Sequence, residues 1–156
     1  MNAELIKDFG IGIIFGVTQI LFFQHLEVFG TTADPITFYL LWLVAKYDRP
    51  KLLIIAALLG LFQDALFDFW GMFMFSKTLL VFLFYNFVKR RSEVQLLVWQ
   101  IFVFILIAAF VHNIIFIGLS SFFDAYTYSY SPILSTLGNA IYTAVVGSLI
   151  FVFRVK

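Results

Sequence analysis

The side chains with chemistry to offer lie between long apolar runs, and the densest set is Gly60, Gln63, Asp64, Asp68, Gly71, Ser76 and Lys77. Ionisable groups at membrane depth cost roughly 2.5–3.5 kcal/mol each on insertion scales, so those present need partners. Asp64 follows Lys51 by thirteen residues, ~20 Å of helix, and Lys77 precedes Lys89 by twelve, ~18 Å. On antiparallel neighbouring helices the two charges share a depth, and the spacing predicts a buried Asp64–Lys77 ion pair. Asp68 is one turn beyond Asp64 on the same face. It lies nearer the outer surface, where it either pairs with Lys77 or is solvated. Such a pair could lock two helices, face a partner or belong to an ion path. Locking is the reading that needs least else.

The remaining polar residues are sparse. Gln19 lies in the middle of the first apolar run, with Gln24 and His25 near its outer end. His112 and Asn113 fall in the outer part of the fifth run, and Asn139, preceded by Ser135 and Thr136, in the sixth. Each could hydrogen-bond a neighbouring helix. Gln63, Asp68, Gly71, His25, His112, Asn113 and Asn139 are the candidates for a partner surface or a small outward pocket. His25 and His112 could share a metal, but two histidines with no cysteine and no carboxylate at ligand spacing make a weak site; satisfied histidines are the simpler expectation. No nucleophile elbow, His-Glu-x-x-His, phosphate-cradling loop or dinucleotide fingerprint occurs. An intramembrane aspartyl protease needs its two carboxylates on separate helices, whereas Asp64 and Asp68 share one. The expectation is a non-enzymatic protein without a cofactor.

The elements that must position these residues follow from composition. The chain has 156 residues, 63% hydrophobic and 12% charged, no cysteine and a net charge of +1, with a mean hydropathy of +1.02. Soluble domains are about 45–50% apolar and about 25% charged, so this chain cannot coat itself for water. Disorder and a disulfide scaffold are excluded, and no basic field is left for nucleic acid. The class is an all-α integral membrane protein in one domain.

Six apolar runs can be read: Phe9–Leu26, Ile36–Ala45, Leu52–Phe69, one ending at Val88, Val94–Leu119 and Pro132–Phe153. The second is short against the ~20 residues a span needs. It reaches across only if residues 31–35 also lie in the interface or the membrane thins. With six crossings and both termini cytoplasmic, Lys7, Lys46, Arg49, Lys51, Lys89, Arg90, Arg91, Arg154 and Lys156 lie inside. Lys77 alone is left over, and Glu27, Asp34 and Asp124 fall in outer loops. That distribution obeys the preference for positive residues on the cytoplasmic side. The first run has no small-residue cleavage site after it and is expected to stay as a helix. Trp42, Trp70, Trp99, Tyr39, Tyr47 and Tyr85 suit interfacial positions. Tyr126, Tyr128 and Tyr130 suit a short outer strand or an interfacial loop. Gly12 and Gly16 form a small-xxx-small pattern that lets another helix approach.

Taken together, these residues resemble the MreD family, the small membrane subunit of the bacterial cell-elongation machinery. The resemblance runs from Asp34-Pro35 through Lys46-Tyr-Asp-Arg-Pro-Lys51 and Leu59-Gly60-Leu-Phe-Gln63-Asp64-Ala-Leu to Gly71, Ser76-Lys77 and Lys89-Arg90-Arg91. Asp68 and the aromatic Phe69-Trp70 depart from the family's usual small residues. The resemblance implies a six-helix bundle similar to the substrate-binding subunits of energy-coupling-factor vitamin transporters. It also implies a scaffold in the inner membrane that binds MreC, a single-span protein with a periplasmic domain, and helps control cell shape and peptidoglycan synthesis. Other elongation proteins, wall synthases, lipid and a second copy of the chain are further partners to consider. The rival expectation is a vitamin-binding transporter subunit, with His25, His112, Asn113 and Asn139 lining its cavity. The bulky Phe22 and Phe23 on the first helix argue mildly against it.

Overall fold

The computed structural model describes residues 3–23, 25–26, 31–92, 97–122 and 132–155. Six α-helices follow in order: α1 (Ala3–Thr18), α2 (Pro35–Lys46), α3 (Arg49–Phe67), α4 (Met72–Ser92), α5 (Val98–Phe122) and α6 (Pro132–Val155). A π-helical turn, Gln19–Phe23, extends α1. Five of these elements are long and apolar enough to cross a membrane, and α2 is not. Its 12 residues rise only ~18 Å against a hydrocarbon core of about 30 Å. The expected all-α membrane architecture is present. Gln24, Glu27, Asp124, Lys156 and the Tyr126–Tyr130 alternation lie outside the described residues.

The short helix is the centre of the bundle. Every α2 residue from Pro35 to Leu41 is buried, as are Leu43 and Val44, and all five other helices touch it. An element apolar all round belongs inside rather than on a surface. Neighbouring contacts set the directions. Asp8 of α1 meets Tyr47 at the end of α2. Lys77 near the start of α4 meets Asp34 at the head of α2, and Lys89 near its end meets Val44 and Ala45. Helices α2 and α4 are therefore parallel, and successive helices alternate. The start of α1, the α2–α3 junction and the end of α4 share one end of the bundle, which carries Lys7, Lys46, Arg49, Lys51, Lys89, Arg90 and Arg91. We call it the basic end.

Close approach is built from glycine. A Cβ on Gly12 would strike Leu59, and one on Gly16 would press on Phe62 and Ile36, so the small-xxx-small face of α1 packs on α3 and α2. At Gly60 the neighbour is the Met74 backbone itself, which brings α3 and α4 into direct contact. Helix α1 begins at Ala3, earlier than the apolar run suggested, and includes the buried Asp8. Its Oδ2 accepts from Tyr47 Oη at 2.7 Å and pairs with Lys46 Nζ at 2.6 Å, and Tyr39 Oη donates to the Asp8 carbonyl. Tyr39 is consequently a core residue and not an interfacial anchor. Burial first, and then the Asp8 carboxylate, push the Tyr47 phenol above its ordinary pKa, so Tyr47 remains the donor.

Candidate functional site: a charged cluster at the head of the short helix

Because α2 is too short to span, its N-terminus lies inside the bundle, where the first-turn backbone N–H groups need acceptors; Pro35, at the first helical position, has none to satisfy. Asp34 caps it: Oδ1 accepts from the N–H groups of Ile36 (3.1 Å) and Thr37 (3.2 Å). Oδ2 accepts from Thr37 Oγ1 at 2.8 Å and from Lys77 Nζ at 2.5 Å, and Lys77 also donates to Thr37 Oγ1 at 3.0 Å. The Lys77 side chain is 0% exposed and that of Asp34 is 14% exposed. The buried ion pair thus joins α4 to the head of α2.

This corrects the expected Asp64–Lys77 pair. Asp64 is buried, but Oδ1 accepts from the N–H of Phe73 at 2.8 Å and Oδ2 from the N–H of Met74 at 2.9 Å. It closes the α3–α4 hairpin by satisfying the first turn of α4, where the helix dipole also favours an anion. Gly60, one turn earlier, is what lets α4 come close enough. Asp68 is exposed and does not reach Lys77; its left-handed backbone (φ 59°) ends α3, with Gly71 (φ 81°) completing the turn. Asp34, expected in an outer loop, turns inward instead.

The extended residues leading into α2 are pinned to α6. The N–H of Thr32 donates to Asn139 Oδ1 at 3.1 Å, and that of Asp34 to Thr143 Oγ1 at 3.0 Å. Asn139 and Thr143 are four apart on one face of α6. Irregular backbone at membrane depth persists only with such internal partners. Asn113 Nδ2 contacts the Thr136 carbonyl at 3.4 Å. The amides expected to line a pocket are therefore engaged in holding chain segments together.

His112 completes the cluster. Ser76 Oγ donates to the Phe73 carbonyl at 3.2 Å and lies 3.1 Å from His112 Nε2. Nδ1 lies 3.9 Å from Asp34 Oδ2 and has no hydrogen-bond partner. The imidazole stacks on Phe73, whose ring lies against Phe116. His25 is exposed in the turn after the π-helical segment, apart from the buried His112. Among the described residues no three metal-ligating side chains converge. Gln63 donates to Gln19 Oε1 at 3.0 Å, and Gln19 is the buried first residue of the π-helical turn.

The cluster unites His112 and Asn139 with Lys77, as candidates, and adds Asp34, Thr37 and Thr143, which the sequence reading did not place there. The signal for Asp34 was present: it precedes Lys46 by twelve residues, the interval that separates Lys77 from Lys89. None of the protein-family models, curated proteins and solved structures compared with the chain matches it.

Proposed function

We propose that the chain is a non-enzymatic scaffold of the bacterial cell-elongation complex, working as MreD-like proteins do. In this reading it resides in the cytoplasmic membrane with both termini cytoplasmic, binds MreC and helps control cell shape and peptidoglycan synthesis. The observation that supports this best is how the buried charges are used. Asp34 and Lys77 hold α2 to α4, and Asp64 holds the α3–α4 hairpin. Breaking a buried pair by removing one partner is strongly destabilising, so these groups favour one arrangement of helices, which suits a protein whose work is to present a fixed membrane surface. The six helices and the basic end agree with the layout that the family resemblance implies.

The test is co-expression with an MreC protein from the same genome, carrying an affinity tag on its periplasmic domain, followed by extraction in mild detergent. The chain is expected to elute with MreC as one complex and to restore rod shape in cells depleted of their own MreD. A chain that elutes alone, loaded with a small molecule, would overturn the scaffold reading in favour of a transporter subunit.

A further inference from the structure

Three lysines of the basic end are engaged. Lys46 is paired with Asp8 and Lys51 with Asp48, while Lys89 donates to the last carbonyls of α2. Two arginines are held differently, on phenylalanine rings. The guanidinium of Arg49 lies 4.2 Å from the centroid of Phe82 and donates to the Phe82 carbonyl. That of Arg91 lies 5.6 Å from the centroid of Phe87, which stacks at 5.3 Å and 6° on Phe104 of α5. Both rings are about half exposed, Phe82 at 50% and Phe87 at 52%. They are five residues apart, about 140° around α4, so one arginine flanks the α3 side and the other the α5 side.

An arginine with only water to meet extends into it. One laid on a ring facing lipid sits at the boundary of headgroups and acyl chains. There the ring face offsets part of its lost hydration; at Arg49, Nη2 is taken by the Phe82 carbonyl and Nε is buried without a partner. Trp99, exposed at the start of α5, marks the same boundary, where tryptophan is enriched. No carboxylate among the described residues pairs with either guanidinium. Seven cations there face only Glu4, Asp8 and Asp48 among the described residues, so the surplus charge is positive. An anion with apolar chains attached complements both halves of each arrangement.

We propose that the Arg49–Phe82 and Arg91–Phe87 pairs are two seats for anionic phospholipid, each guanidinium taking the phosphate while the acyl chains lie on the exposed rings. The inference rests on membrane residence and not on the scaffold reading.

The full chain is reconstituted in vesicles of equal phosphatidylglycerol and phosphatidylcholine and extracted in mild detergent, and the retained lipid is quantified. Wild type is expected to favour phosphatidylglycerol by about fivefold per seat, falling as salt rises. Equal retention of the two lipids by wild type would overturn the proposal without any variant. Arg49→Gln/Arg91→Gln is expected to abolish the enrichment, whereas Lys7→Gln/Arg90→Gln, which removes the same charge from unseated positions, is expected to keep most of it. Equal losses in the two variants would mean diffuse attraction and no seats. If the glutamine pair fails to fold, Arg49→Lys/Arg91→Lys keeps the charge and drops the planar stacking; undiminished enrichment there would also overturn the proposal. Replacing chloride with inorganic phosphate at equal ionic strength should change nothing, and displacement of lipid would reassign the seats to a free anion.

Discussion

Lys77 of α4 reaches Asp34 at the head of α2, with 2.5 Å between Nζ and Oδ2 and the lysine wholly buried. The same carboxylate caps α2 through its other oxygen. One side chain therefore joins the start of the central helix to its parallel neighbour.

Lys77→Gln and Asp34→Asn are each expected to destabilise the bundle by roughly 3–5 kcal/mol, since each leaves a buried charge alone. The double variant should recover part of the loss. In SDS-unfolding titrations the Asp34–Lys77 cycle is expected to show a larger coupling energy than the Asp64–Lys77 cycle. The reverse order would reinstate Asp64 as the partner.

Gly60→Ala is expected to force α3 and α4 apart, because the added methyl meets the Met74 backbone, which cannot swing aside. A cost of roughly 1–3 kcal/mol fits overpacking at a tight contact. Gly10→Ala meets nothing within 4 Å and serves as the control. Indistinguishable melting temperatures for the two variants would contradict the close approach.

Tyr47→Phe removes a hydrogen bond to the Asp8 carboxylate and should cost roughly 1.5–3 kcal/mol at neutral pH. The phenol's pKa is raised in the folded protein above its ordinary value of 10.0. A raised group contributes stability that is fully present below the unfolded pKa and is lost as pH rises through the folded one. The gap between wild type and Tyr47→Phe should thus be constant from neutral pH upward and narrow above pH 10.0. A gap that widens in alkali would reverse the sign and sink this account.

Reporter fusions following Tyr47 and within residues 93–96 are expected to lie on one side of the membrane, and a fusion at Trp70 on the other. This follows from the parallel course of α2 and α4 in the bundle. Opposite compartments for the first two would mean that α3 and α4 do not cross and return as a hairpin.

Much of this was legible in the residues. Six apolar runs separated by charge or proline dictate six helices, because hydrocarbon leaves the backbone no partner but itself. The runs of Lys and Arg mark one end of the bundle, and Lys77, alone among the cations, had to be buried and paired. The identity of its partner was decided only by packing. Asp34 and Asp64 both sit at a reachable depth. Distance along a helix fixes height in the bundle and says nothing about which neighbour a side chain turns towards. The short length of α2 drew its head into the interior, so a carboxylate that reads as part of a loop became the counter-ion. Asp64, held near α4 by Gly60, was taken up by the Phe73 and Met74 N–H groups. Asn139 and Thr143 show the same limit: their spacing puts them on one face of α6, but what that face grips depends on a chain segment more than a hundred residues away.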